Sequence, residues 1–421
     1  MDATSPTVTE PRAIDRLGAR EFVAMMALMM ALNALAIDAM LPALPQIAGD
    51  LGAPTANAQQ RIITLYFIGL GVGSLIHGPL SDRFGRRPVI LGSLIGYILA
   101  GLASAFAPSW EAMLAMRFVH GLMAAAIGVV ATAVVRDRTS GDSMARMMSL
   151  IFLIFMVVPI IAPTLGQAIL RVAAWPAIFG FLALMGAAML GWVMLRLPET
   201  MRPEDARPLA FGPLLAAWRD VATHRSAVAY MVASSVAIGA NFGFLNSAQQ
   251  IIARTFRAEA IFPYVFAVVA TGIAVANFTN SRLVMRFGAR RVSHTAICAF
   301  IVLSCVQIYF ALAGETMWMF VGIVTLNMAM MGFIGANSSS IAMEPFGREA
   351  GSASSFQNSV RTLLSAGVGA WIGGAYDGTT LPLAIGYLIA GSTALAVLLW
   401  GERGRLFTRP NPPHLPVPRA P

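Results

Sequence analysis

Long apolar runs separated by short polar gaps fill this chain from residue 22 to residue 400. A helix crossing a bilayer needs about 20 mainly apolar residues. Twelve runs meet that length, over 22–44, 58–80, 88–107, 110–135, 144–169, 174–196, 226–248, 260–282, 292–313, 316–340, 350–373 and 381–400. The longest polar interruption, 197–225, leaves six runs on either side. The predicted fold is therefore all-α and membrane-spanning, with twelve transmembrane helices in two pseudo-symmetric six-helix bundles, 22–196 and 226–401. Residues 1–21 and 402–421 read as tails and 197–225 as a linker. Positions 211–222 of the linker fit either a short amphipathic helix on the membrane surface or a plain connection. The proline-rich end, RPNPPHLPVPRAP, reads as disordered.

Composition agrees with this pattern: 57% of the 421 residues are hydrophobic and 12% charged, values no soluble domain of this length reaches. All 29 basic residues are arginine, and the net charge is +9. The arginines are scattered among the gaps instead of forming one face, so nucleic acid is not an expected partner. With the N-terminus in the cytoplasm, 23 arginines fall in cytoplasmic tails and loops, and four (Arg61, Arg171, Arg254, Arg257) fall on the other side. That asymmetry predicts both termini in the cytoplasm of a multi-pass inner-membrane protein. The first run serves as its own insertion signal, because no cleavable signal precedes it. Cys298 and Cys305 lie about 10 Å apart along one helix, beyond disulfide reach, and read as packing residues.

The most distinctive gap is GPLSDRFGRRP, Gly78 to Pro88, which sets three arginines and an aspartate between two apolar runs. Such charges read as a short loop held at the membrane surface. A weaker copy, SRLVMRFGARR at 281–291, lies 203 positions further on, and the same offset carries Asp38 onto Asn241. A charged turn appearing once in each half points to a duplicated transporter. Because Met285 stands where the first copy has Asp82, the second is expected to be mainly a topological anchor through Arg286, Arg290 and Arg291.

Few ionisable groups sit within the runs, where each costs several kcal/mol unless it faces a cavity or a partner. Asp38 lies seven residues before Pro45 at the outer end of run 1 and Arg117 seven after Trp110 at the start of run 4, both about 10 Å from the same surface. Their equal depth allows a pair, either as a proton-exchanging acid beside an arginine or as a fixed bridge between helices. Arg361 lies near the midplane of run 11, with Gln357 and Asn358 one turn before it, as a substrate contact or a salt-bridge partner. Run 5 contains VVPIIAPTLGQ, where Pro159, Pro163 and Gly166 predict a kinked and tightly packed helix. His120 and several asparagines at membrane depth read as interhelical hydrogen-bond groups. The five histidines include no pair with metal-ligand spacing, and there is no HExxH and no glycine loop ending in GK[ST]. An enzyme, a metal site, a cofactor and an ATP-driven pump are not expected, which leaves an ion gradient or plain diffusion as the energy source.

GPLSDRFGRRP resembles the loop 2–3 signature of the major facilitator superfamily. AIDAMLPALPQIAGDLG (36–52), RFVHG (117–121), VVRD (134–137), ARMMSL (145–150), APTLG (162–166) and LPET (197–200) resemble its Bcr/CflA branch of twelve-helix drug:proton antiporters. The resemblance implies that Gly78, Asp82, Arg83, Gly85 and Arg86 form a cytoplasmic gate, with Asp82 pairing Arg136 at the inner end of run 4. It implies that Asp38 and Arg117 serve substrate binding and proton coupling, and that Pro163 and Gly166, in the helix that Pro159 helps to kink, form the antiporter motif. Arg361, Asn241, Gln357 and Asn358 join the candidate proton-coupling and substrate residues by their positions in the runs. Expected partners are the bilayer, protons and small amphiphilic substrates exported by a monomer. The chain departs from the pattern at His120, where Gln is common, at Gln167, where the motif has a second Gly, and at Arg361, where Gln is usual. With Asp38 ionised, two embedded arginines favour neutral or anionic amphiphiles over lipophilic dications. Proton-coupled uptake of a metabolite in the same fold is the alternative, and a non-transporting membrane sensor would need a signalling domain that no segment supplies.

Overall fold

The computed structural model describes residues 17–139, 141–202, 204, 211–346 and 350–408. The expected disordered end beyond 408 and most of the N-terminal tail lie outside the described residues. Helices account for nearly everything described, and among the described residues there is no strand.

The first half runs through α1 (Ala19–Asp38), a short α2 (Leu44–Asp50), α3 (Arg61–Phe84), α4 (Arg86–Ala105), α5 (Trp110–Arg138), α6 (Gly141–Phe155), α7 (Val158–Val172) and α8 (Pro176–Arg196). A linker helix, α9 (Phe211–Thr223), follows. The second half comprises α10 (Arg225–Gln250), α11 (Phe262–Phe287), α12 (Ala289–Ala313), α13 (Met317–Met343), α14 (Ala350–Gly374) and α15 (Leu381–Gly401). Among the described residues, eleven helical stretches are long and apolar enough to cross a membrane. The twelfth crossing, α14, has the length but carries Gln357, Asn358, Arg361 and a series of serines.

Three features differ from the expected spans, each for a local reason. Run 1 does not continue to residue 44: α1 stops at Asp38, and a 3-10 turn over Leu41–Ala43 leads into α2. Pro42 and Pro45 remove backbone donors there, so α1 cannot extend. Run 5 is two helices meeting at Met156 and Val157, with Pro159 in the first turn of α7, where its missing N–H costs nothing. The charged gap at 78–88 is not a loop. α3 remains helical through Phe84 and α4 begins at Arg86, so Gly85 alone reverses the chain at φ 99°, ψ 158°. Only glycine adopts that conformation without strain. Gly288 repeats it between α11 and α12 at φ 85°, ψ 150°, preserving the 203-residue offset.

Within the first half, α3 and α4 pack on α5, while α1 packs against α5, α6, α7 and α8. In the second, α10 packs on α13, α14 and α15. The halves meet where α3 runs along α14 and α7 along α11. The linker helix α9 lies against α14, with Trp218 stacked on Phe356 at 5.8 Å between ring centroids. The described ends share one face of the molecule. Arg138, at the end of α5, donates to Leu17 O (2.7 Å), and Arg291, at the start of α12, donates to Phe407 O (2.9 Å). That face is the Arg86 end below; the other is the far end.

Candidate transport site and gates

Asp38 sits where α1 breaks. It is 6% exposed, and among the described residues it has neither hydrogen bond nor ion pair. Arg117 does not pair with it. The guanidinium is fully buried and directs Nη2 to Ala36 O (3.1 Å), Nε to Ile62 O (3.5 Å) and Nη1 to His120 Nδ1 (3.0 Å). It also lies over the Tyr66 ring at 4.4 Å. Ala36 O belongs to the last turn of α1, where backbone carbonyls lack helical partners and carry partial negative charge. Arg117 therefore acts as a cationic cap that fixes the break, and Asp38 is held beside it without being neutralised by it.

The partner geometry also fixes the chemistry of His120. Arginine has no acceptor, so Nδ1 must accept from it, leaving the imidazole neutral with its proton on Nε2. That Nε2 is buried and has no hydrogen-bond partner among the described residues, in a ring slot formed by Tyr97 at 4.2 Å and Tyr66 at 5.6 Å. Tyr66 donates its hydroxyl to Asn33 Oδ1 (3.1 Å), and Tyr97 donates to Leu32 O (3.3 Å). A glutamine at position 120 would present an acceptor to Arg117 in the same way.

The run 5 motif bears directly on Asp38. Pro163 and Gly166 are buried, and a Cβ built on Gly166 would stand 1.8 Å from Ala39 O. Backbone thus touches backbone immediately after Asp38, and only glycine permits it. Pro159, at the start of α7, sets the direction in which this glycine is delivered.

The other expected site residues do not join this cluster. Arg361 Nη2 donates to Asn358 Oδ1 (2.6 Å), and Asn358 Nδ2 reaches Ser74 Oγ of α3 at 3.4 Å. Among the described residues no carboxylate lies within ion-pair distance of Arg361. Gln357 turns away and donates to Ser339 O of α13 (3.3 Å). Asn241 is half-buried and takes no hydrogen bond among the described residues. An apolar groove of about 500 Å³, lined by Val268, Phe310, Trp318 and Leu326, involves none of these polar groups.

At the Arg86 end the expected pairing of Asp82 with Arg136 is absent. Arg86 takes that role: Nη1 donates to Asp82 Oδ1 (2.5 Å) and Ser81 Oγ (2.7 Å), and Nε donates to Asp137 Oδ2 (3.2 Å). In the last turn of α5 one residue faces inward and its neighbour outward, which exposes Arg136 and presents Asp137. Arg83 is exposed as well. A Cβ on Gly78 would lie 3.2 Å from Ser355 Oγ of α14, bringing the gate against the second half. Three participants were not expected as gate residues: Asp137, Glu199 and Thr200. Glu199 accepts from the backbone N–H of Arg86 (2.9 Å) and Arg87 (3.1 Å), capping α4 with an anion. Thr200 donates to Asp137 Oδ2 (2.9 Å). VVRD and LPET contained them as motifs without roles.

The second copy is more than an anchor. Arg290 donates to Glu344 Oε2 (2.8 Å) and Glu402 Oε1 (3.2 Å), tying α12 to the ends of α13 and α15. Glu402 stands 203 positions after Glu199. The clamp survives the loss of an acid at Met285 because its carboxylates come from other helix ends.

The family model described as Major Facilitator Superfamily matches residues 26–370. The uncharacterized MFS-type transporter YdgK of Bacillus subtilis is 30% identical over 374 residues, 86% of this chain and 90% of that protein. The bicyclomycin resistance protein homolog of Haemophilus influenzae is 28% identical over 363 residues, 86% and 91% respectively. The chloramphenicol resistance protein of Pseudomonas aeruginosa is 36% identical over 164 residues, 38% of this chain and 39% of that one. Among solved structures, the D-xylose-proton symporter superposes with a TM-score of 0.68 at 13% identity, covering 90% of this chain and 95% of that one. The human organic anion transporter MFSD10 superposes with a TM-score of 0.63 at 18% identity, covering 91% and 100%. At those identities the likeness shows the fold alone. The matched family model, the relatives aligned over most of the chain and the paired six-helix halves agree: this chain belongs to the Major Facilitator Superfamily, a multi-pass membrane transporter and not an enzyme.

Proposed function

We propose that this protein exports small amphiphilic molecules across the inner membrane by proton antiport, in the manner of the Bcr/CflA branch. Bodies 22–196 and 226–401 alternate access, and the Arg86 end and both termini face the cytoplasm. One observation carries the reading: Asp38 is a buried acid with no ion pair among the described residues, at the break of α1, braced by Arg117 on one side and Gly166 on the other. An acid so placed can take a proton from the far side and lose it on the Arg86 side, while a permanently paired one could not. Each state then needs only a few kcal/mol of bias from proton or substrate. The names of the bicyclomycin and chloramphenicol resistance relatives support export of drug-like substrates.

Arg361, without a carboxylate partner among the described residues, favours neutral or anionic amphiphiles over lipophilic dications. The test is a toxicity panel in an efflux-deficient host, including chloramphenicol, bicyclomycin and a quaternary dication. Wild type should raise tolerance to uncharged or anionic compounds, and Asp38→Asn should not. Resistance confined to quaternary dications contradicts the substrate class, and undiminished resistance in Asp38→Asn contradicts the assignment of the acid.

A further inference from the structure

The two halves are fastened at the far end by side-chain amides. Gln60, just before α3, donates Nε2 to Gln250 Oε1 (2.7 Å) and to Gly373 O (2.8 Å). Gln250, the last residue of α10, donates Nε2 back to Ala56 O and Asn57 Oδ1, both at 3.0 Å. Asn57 in turn donates Nδ2 to Gly374 O (3.1 Å) and Tyr376 O (2.8 Å). Residues 56–60 belong to the first half and 250, 373, 374 and 376 to the second, so every one of these bonds crosses between bodies. No ion pair joins the halves here among the described residues.

We infer that this amide clasp is the far-side gate of the transport cycle, with Gln60 and Gln250 as its closing pair; the inference rests on the alternating-access reading above. Each of these amide bonds exchanges for a bond to water when the site opens, so its net strength is modest and the closed clasp can release, as a reversible seal needs. Close packing at Gly373 allows it to form: a Cβ there would lie 2.4 Å from Gln60 Oε1 and 2.7 Å from the Asn246 side chain. Directly after Gln250 the chain makes a π-helical turn over Ile251–Thr255, and then Arg257 takes φ 53°. Such wide turns mark places where a helix end can change its winding. Below the clasp, Thr64, Phe67, Gly71 and Ser74 continue the same face of α3 towards the second half, with Phe67 stacked on Phe242 at 3.9 Å. Opening must undo the amides before it can part the rings.

The test uses full-length protein with Cys298 and Cys305 changed to Ser. Thr64→Cys is the reporter, since Thr64 is 9% exposed one turn beneath Gln60. Intact cells are treated with a membrane-impermeant maleimide. Gln60→Ala with Gln250→Ala should raise the labelling rate at the reporter roughly tenfold, and Gln250→Asn, which shortens one amide and keeps its chemistry, should raise it less. Labelling that is unchanged in both variants overturns the inference. Glu259→Cys, exposed at the far end, reports orientation independently. If it labels only in inverted vesicles, the cytoplasmic assignment of the Arg86 end falls instead, and the same reporter comparison in those vesicles decides the clasp.

Discussion

Arg117 and His120 show how one residue pair can fix a helix break next to a buried acid without touching the acid. The guanidinium is saturated by the Ala36 and Ile62 carbonyls, by His120 and by the Tyr66 face, so its positive charge stabilises the end of α1 more directly than it stabilises Asp38. Arg117→Lys should therefore lose export even though the charge is kept, because an ammonium cannot span three acceptors in a fixed plane. His120→Gln should retain most activity, since a side-chain carbonyl can accept from Arg117. His120→Leu leaves a buried charged donor unpaired and should destabilise the protein by about 1–3 kcal/mol. Thermal unfolding in detergent and export assays, run on both variants, check this; equal damage from Gln and Leu would contradict the acceptor role. The sequence marked Asp38, Arg117 and His120 by their depth in apolar runs. What it could not convey was the direction of each donor, since that depends on which neighbouring helix offers a free carbonyl.

At the scale of elements, the helix breaks matter as much as the helices. α1 ends at Asp38, α6 gives way to α7 near Pro159, and the body of α7 meets the first of these breaks where Gly166 touches Ala39 O. Gly166→Val should push α7 off α1 and abolish export in protein that still reaches the membrane, and Gly166→Ala should do so in part. Normal export by the valine variant would separate the run 5 motif from Asp38. The Arg86 cluster behaves as a joint between α3, α4, α5 and the segment after α8, through Asp82, Asp137 and Glu199. Asp82→Asn and Glu199→Gln should each slow turnover without altering which compounds are exported, and a changed spectrum in drug panels would place these residues in the substrate path. The motif strings were visible in the sequence, but the role of Arg136 was not: a helix rotates by about 100° per residue, so VVRD alone cannot say whether Arg136 or Asp137 turns inward.

Across the whole molecule, the 203-residue offset relates Gly85 to Gly288 and Glu199 to Glu402, so both halves carry a glycine reversal with a glutamate bound beside it, on the backbone of α4 in the first and on the Arg290 side chain in the second. The crossings were legible from the length and pattern of the apolar runs, because burial in lipid leaves little freedom in pattern, and the duplication from the repeated charged turn. The clasp of Asn57, Gln60 and Gln250 was not legible: amides at span ends look like ordinary loop residues until the two halves are brought together. The central claim, that Asp38 couples substrate export to inward proton flow, meets its most direct test in proteoliposomes loaded at acid pH and diluted into alkaline buffer with radiolabelled chloramphenicol outside. An antiporter accumulates the label inside as protons leave, and Asp38→Asn vesicles should take up no more than protein-free ones. Uptake unaffected by the pH gradient, or equal in wild type and Asp38→Asn, would contradict the account.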